Sequence, residues 1–266
     1  MIRVVDKQIP KMAFMSAAHA SAFESPLVEF KQADLSRDAG VAKAFDGHSF
    51  DVVLNLTYDG IPFGQADEVY QQRVLDVSTK LGAAAVQHRV RRFIELSTAQ
   101  VYEAKEAPSK EDGRLKPWTK QASFKLRAEE ALRAMGELPL TVIRPACIYG
   151  PGDTQGLSPR ILCAAVYAHN NEKMRFLWDG SLALNTVHVR DVCRAMWHVA
   201  LMPAPPAVLN LADHGNSTQA TISATLEKVF AIKTGFVGTL ASRTITAVGV
   251  RSFAEAANEK HMEPWA

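Results

Sequence analysis

The chain has 266 residues, 47% of them hydrophobic, with 30 basic against 28 acidic side chains. That length suits one large α/β domain, or a main domain with a smaller lobe, and a net charge of +2 with no long run of one sign gives no footprint for nucleic acid. No apolar run approaches the roughly 18 to 20 residues of a spanning helix, and the opening residues carry no secretory apolar region, so neither a transmembrane segment nor export is expected.

In chain order, apolar strand-like runs alternate with helix-period segments, the pattern of βαβ units and a parallel sheet. Strands are expected over 2–5, ending at Asp6, over 27–31, ending near Asp34, and over 52–56. A helical stretch follows over 65–87, then a strand over 92–96 that runs into Ser97 and Thr98. Residues 122–135, rich in Ala, Leu, Lys, Arg and Glu, predict a helix that Gly136 stops, and 140–143 give a fifth strand. Beyond Arg144 and Pro145 the alternation loosens, with Pro203, Pro205 and Pro206 close together, and a smaller C-terminal lobe is expected. Cys147, Cys163 and Cys193 form no CxxC pair and are expected in apolar core positions. They indicate a reducing compartment, cytoplasm or organelle matrix, and no metal site.

A parallel sheet that holds a dinucleotide feeds its first strand into a Gly-rich turn, whose amides and following helix bind the pyrophosphate. Nothing of that kind precedes Asp6, and the pairs Gly60/Gly64 and Gly235/Gly238 lack the strand-to-helix setting and read as turns. Asp6 itself looks like the acid that holds the adenosine ribose, which should follow about thirty residues of strand, loop and helix. The first βα unit is therefore expected to be missing, either in the natural chain or because that chain extends upstream. The neighbours of a missing central strand need a substitute, such as a protein partner or a second copy.

Four blocks occur in a fixed order. They are Phe93-Ile94-Glu95-Leu96-Ser97-Thr98-Ala99-Gln100-Val101-Tyr102, then Lys125-Leu126-Arg127-Ala128-Glu129, then Val142-Ile143-Arg144-Pro145-Ala146-Cys147-Ile148-Tyr149-Gly150-Pro151-Gly152, and Asn185-Thr186-Val187-His188-Val189-Arg190-Asp191-Val192. Together they resemble the extended short-chain dehydrogenase/reductases of the NAD-dependent epimerase/dehydratase family. The resemblance implies a Rossmann-like, doubly wound parallel sheet lacking its first βα unit. It also implies a dinucleotide-binding domain over 1–150 and a smaller substrate lobe over 151–266 that interleaves with it.

It further implies hydride chemistry with NAD or NADP, in which a tyrosine four residues before a lysine exchanges the proton and a Ser/Thr hydroxyl orients the substrate oxygen. Lys125 takes the lysine position and Thr98 the hydroxyl position, but Gln121 stands where the tyrosine should be, and a carboxamide cannot exchange that proton. Cofactor contacts are implied for Asp6, Asp34, Asn55, Lys125 and Pro145, and substrate contacts for Tyr102, Tyr149 and Arg144. Tyr102 and Tyr149 are candidates to stand in for the missing phenol, although packing explains them more simply. His188 reads as a hydrogen-bonded structural histidine, Asp191 as a helix N-cap, and Met174, Phe176, Leu177 and Trp178 as packing.

Two functions follow. One is a catalytically impaired relative, its cofactor binding weakened or lost, that serves as a scaffold or assembly subunit. The other is an active, atypical epimerase, dehydratase or reductase on a nucleotide-sugar or similar alcohol.

Overall fold

The computed structural model describes residues 1–13, 15–57, 61, 65–104 and 107–248, leaving aside the side chains of 13 and 246–248. Gly60, Gly64 and the segment 258–265 lie outside these residues. In chain order the elements are β1 (Ile2–Asp6), α1 (Ala17–Ala22), β2 (Val28–Gln32), α2 (Asp38–Phe45), β3 (Val52–Asn55), α3 (Asp67–Tyr70), α4 (Asp76–Gln87), β4 (Arg92–Leu96), α5 (Lys120–Arg133), β5 (Leu140–Pro145) and β6 (Cys147–Tyr149). They continue with α6 (Ser158–His169), β7 (Met174–Phe176), β8 (Thr186–His188), α7 (Val189–Leu201), β9 (Val208–Leu211), α8 (Gln219–Phe230), β10 (Thr234–Phe236) and α9 (Thr239–Val248). The stretch expected as one helix over 65–87 is α3 and α4 joined by a π-helical segment, Gln71–Leu75. Such a wide turn leaves no mark on apolar periodicity over five residues.

The chain divides into two units. The larger comprises 1–152 and 187–212 and holds two parallel sheets, β1 with β2, and β3-β4-β5-β9. All four pairings in them are parallel, as the alternation of strands and helices requires. Among the described residues no strand pairs with both β1 and β3, so each presents an edge where the missing unit was expected. Val5 of β1 and Val53 of β3 nevertheless pack on one core, built from Val41, Phe45, Val77, Leu81, Phe93 and Leu132. On the opposite face Ile94 and Ile143 pack against Val192, Met196 and Val199 of α7, which makes the sheet doubly wound. The arginines of β1 and β4 close two helices. Arg3 donates to Ala44 O at 3.0 Å in the last turn of α2 and to Asp46 O at 2.7 Å just beyond it, while its Nε donates to Glu29 on β2.

One glycine is required by space alone. A Cβ on Gly40 would lie 1.9 Å from the carbonyl oxygen of Asp34, so the loop into α2 could not pass any other residue. The smaller unit contains α6, β7, α8, β10 and α9, with β7 and β10 parallel and a core of Ala164, Met174, Phe176, Leu226 and Ile232.

Two sequence expectations need correction. Cys163 and Cys193 are exposed and Cys147 is half-buried, rather than core. The buried stripe of α7 is Val192, Met196, Val199 and Ala200, which turns Cys193 outward, and α6 buries only Ala164. Asp191 is not an N-cap. The helix begins two residues earlier and His188 caps it, its Nδ1 accepting from the Arg190 amide at 3.2 Å.

Candidate functional site

Strand alternation on β4 sets the site. Arg92 and Ile94 point toward α7, while Phe93 and Glu95, and Ser97 just beyond, point toward α4 and α5. An acid in the middle of a buried strand must find partners, because an unpaired buried carboxylate is costly. Glu95 is fully buried and finds three. Asn55 Nδ2 at the end of β3 donates to Oε2 at 2.6 Å, Ser78 Oγ on α4 donates to Oε1 at 2.9 Å, and Lys125 Nζ on α5 lies 3.6 Å from Oε1. Burial pushes the Glu95 carboxyl up from its ordinary range, and Lys125, Asn55 and Ser78 act against that rise.

Lys125 is 4% exposed. Besides Glu95, its ammonium donates to Leu96 O at 2.8 Å and to Thr57 O at 3.4 Å. Asn55 is used on both sides, since its carbonyl oxygen accepts from the Thr57 hydroxyl at 2.6 Å and the Thr57 amide at 3.2 Å. Asn55 and Lys125, expected to touch a cofactor, are thus brought together, with Glu95 between them.

Helix α5 starts at Lys120, with the Thr119 hydroxyl accepting from the Ala122 amide. Gln121 therefore sits in the first turn, one turn before Lys125, in the register expected for the missing tyrosine. It is half-buried, and among the described residues its carboxamide makes no hydrogen bond. Thr98 is half-buried just past β4, and its Oγ1 accepts from the Gln100 amide at 3.2 Å.

A second buried cluster holds two residues expected to touch substrate. Arg144 on β5, 2% exposed, donates to both carboxylate oxygens of Glu129 and to the Tyr102 hydroxyl at 2.8 Å. Tyr102 in turn donates to Asn210 Oδ1 at 2.8 Å, and Ser97 donates to Glu129. Neither Tyr102 nor Arg144 lies on an open surface. Tyr149 on β6 meets His188 edge-on, with ring centroids 5.2 Å apart.

The remaining expected residues stand apart. Asp6 is exposed at the end of β1 and accepts from the Gln8 amide at 2.8 Å. Asp34 accepts from the Ser36 hydroxyl and amide, at 2.7 and 3.0 Å, and these bonds hold its carboxyl below the usual range. Pro145 is buried at the end of β5. Of the five residues expected to hold a dinucleotide, Asn55 and Lys125 are buried and meet at Glu95, Pro145 is buried at the end of β5, and Asp6 and Asp34 lie at and beyond the ends of β1 and β2. Sequence reasoning missed Glu95, Ser78, Glu129 and Asn210. The available signal was Glu95 itself, an acid within an otherwise apolar strand.

The profile of the NAD dependent epimerase/dehydratase family matches residues 2–212. The chain belongs to that family. Among curated relatives, the trifunctional UDP-glucose 4,6-dehydratase/UDP-4-keto-6-deoxy-D-glucose 3,5-epimerase/UDP-4-keto-L-rhamnose-reductase of Arabidopsis thaliana is 25% identical over 184 residues. That match takes in 65% of this chain and 27% of the plant enzyme, so this epimerase/dehydratase family member spans about a quarter of the relative's length. Among solved structures, the UDP-glucuronic acid 4-epimerase from Bacillus cereus in complex with NAD superposes with a TM-score of 0.74 at 19% identity, covering 89% of this chain and 78% of that one. The dTDP-glucose 4,6-dehydratase from Streptomyces venezuelae, with NAD bound, gives 0.72 at 19% identity, covering 89% and 74%. At those identities the likeness establishes the family fold. Among the described residues no helix is long and apolar enough to cross a membrane, and no group of three or more His, Cys, Asp or Glu could hold a metal.

Proposed function

We propose that this chain is an epimerase/dehydratase family member whose fold is kept but whose proton-transfer chemistry is impaired, and that it serves as a scaffold or assembly subunit. The observation that carries the reading is Gln121 in the slot of the phenol, one turn from a lysine whose ammonium is already bonded to Leu96 O and Thr57 O. Without a group at that position that titrates in the working range, proton exchange at the substrate oxygen has no agent. The edges of β1 and β3 support the assembly role, because unpaired parallel strands are surfaces that another strand can cover.

The relatives with NAD bound indicate NAD, or NADP, as the cofactor class for any residual binding. The purified protein, titrated with NADH and NADPH while nicotinamide fluorescence is followed, is expected to show no saturable binding in the micromolar range. Light scattering coupled to size exclusion is expected to show an oligomer or a co-purifying partner. A partner-free monomer that turns over a nucleotide-sugar would overturn the proposal.

One observation favours the active alternative. Thr98 keeps a half-buried hydroxyl just past the end of β4, and Lys125 keeps its helical register. The same titration, followed by incubation with UDP- and dTDP-sugars, decides between the two readings.

A further inference from the structure

An ammonium has three protons and so three directions in which it can donate. For Lys125 two are taken by backbone carbonyls, Leu96 O and Thr57 O, and the ammonium faces the Glu95 carboxylate at 3.6 Å as an ion pair. The carbonyls are fixed by the backbone, whereas Glu95 is a side chain that fixes the lysine by charge. It is itself held by Asn55 and Ser78, so that four elements, β3, α4, β4 and α5, converge on one carboxylate. A lysine has a long flexible stem and a strongly hydrated head, and it turns outward to water or a ligand unless a buried counter-charge retains it.

We propose that Glu95 withholds Lys125 from a dinucleotide: the buried carboxylate claims the ammonium that would otherwise be offered to a ligand hydroxyl at the end of β4. The proposal rests on the reading of impaired chemistry only in taking NADH as the ligand that Lys125 is kept from. Removing the charge while keeping the shape, as Glu95→Gln does, leaves Asn55 and Ser78 a carboxamide to bond and frees the lysine to turn. A residue that served packing alone would have no reason to weaken nucleotide binding. Gain of binding on its neutralisation therefore separates the two roles.

Reductive methylation with formaldehyde and borohydride, read by mass spectrometry on the native protein without nucleotide, reports whether Lys125 is accessible. In the wild type Lys125 is expected to label far more slowly than the exposed Lys110 and Lys116. In Glu95→Gln its labelling is expected to rise about tenfold or more, and the dissociation constant for NADH to fall about tenfold or more, the low end of one hydrogen bond to a charged group. Adding Lys125→Met to Glu95→Gln should remove the gain in NADH binding. Labelling of wild-type Lys125 at the rate of the exposed lysines would overturn the proposal, as would a folded Glu95→Gln protein in which NADH binds no better. Wild-type labelling needs no variant, so fast labelling overturns the proposal even where Glu95→Gln fails to fold, and Glu95→Ala, read in the same way, then takes the place of that variant. Turnover by the wild type would end the reading of impaired chemistry, while Lys125 labelling tests Glu95 separately.

Discussion

Arg144 on β5 grips Glu129 on α5 with a two-pronged bond, Nε to Oε1 at 3.1 Å and Nη2 to Oε2 at 2.5 Å, and both side chains are all but sealed from water. Arg133 adds a further donor to Glu129 at 2.9 Å from one turn along α5, beside the Ser97 hydroxyl. Such a fork is strong and directional, and it locks α5 against the strand beneath it.

The first prediction follows from that seal. Arg144→Met leaves a buried carboxylate short of its main counter-charge, and breaking a buried pair in this way costs about 3 to 5 kcal/mol. Urea unfolding followed by circular dichroism should show the loss. A midpoint unchanged from the wild type would return Arg144 to the substrate-contacting role implied by the resemblance.

Arg92 gives the second. Its guanidinium, 5% exposed, donates to Val199 O at 2.6 Å, Met202 O at 2.5 Å, Ala200 O at 3.3 Å and Pro203 O at 3.4 Å, at and just beyond the end of α7. A cation here satisfies carbonyls that the helix leaves bare and opposes the negative end of its dipole. Arg92→Met should cost about 2 to 4 kcal/mol, since several buried acceptors lose their donor at once. Hydrogen exchange should speed up first in the last turn of α7. Uniform exchange across the unit, with no excess at 198–202, would count against a local capping role.

These two arginines show where the sequence was legible and where it was not. Strands β1, β4 and β5 could be read because their apolar runs are local, and β1 ends at Asp6 and β4 at Leu96 as expected, whereas α5 starts and ends two residues before its expected bounds and stops short of Gly136. The register of Gln121 and Lys125 was legible for the same reason, since it depends on one helix. The partners of Arg92 lie more than 100 residues away, and those of Glu95 are 17, 30 and 40 residues away on three elements. Such pairings leave no periodic trace. Arg144 was expected just past a strand over 140–143 and lies inside β5, where its pairing with Glu129 could not be read, because an arginine near a strand end carries no sign of a buried acid on the neighbouring helix.

A third prediction concerns the smaller unit and pH. Asp153 accepts four amides ahead of α6, those of Gln155 and Gly156 on Oδ1 and of Leu157 and Ser158 on Oδ2, at 2.6 to 2.9 Å. Burial acts to raise its pKa, but the amides of Gly156, Ser158 and Gln155 outweigh it and the carboxyl ends below its ordinary 3.8. A carboxylate with a lowered folded pKa binds protons more weakly than in the unfolded chain. Its contribution is therefore complete above the unfolded value and is lost as pH falls through the folded one. Asp153→Ala should cost about 1 kcal/mol, as for other side chains that hold the start of a helix, with α6 amides exchanging faster. The difference between variant and wild type should shrink once the pH is well below 3.8. A difference that persists there would mean that charge is not the source.

The fourth prediction restores the missing phenol. In Gln121→Tyr the new hydroxyl would sit one helical turn from Lys125, and the ordinary tyrosine pKa is about 10. A nearby cation lowers that value only if its field is not already neutralised. The ammonium of Lys125 faces Glu95 at 3.6 Å, so its charge is largely cancelled at the source. Tyrosinate absorbance, taken as the difference between Gln121→Tyr and wild type, should therefore show the added phenol ionising near its ordinary value, and the single variant should gain no turnover. Combining Gln121→Tyr with Glu95→Gln removes the cancelling charge, and the added phenol should then ionise about one pH unit or more lower, the shift expected from an opposite charge a few ångströms away. Were the single variant already to show the depressed value, Glu95 would not be screening Lys125, and the missing tyrosine alone would account for the impaired chemistry.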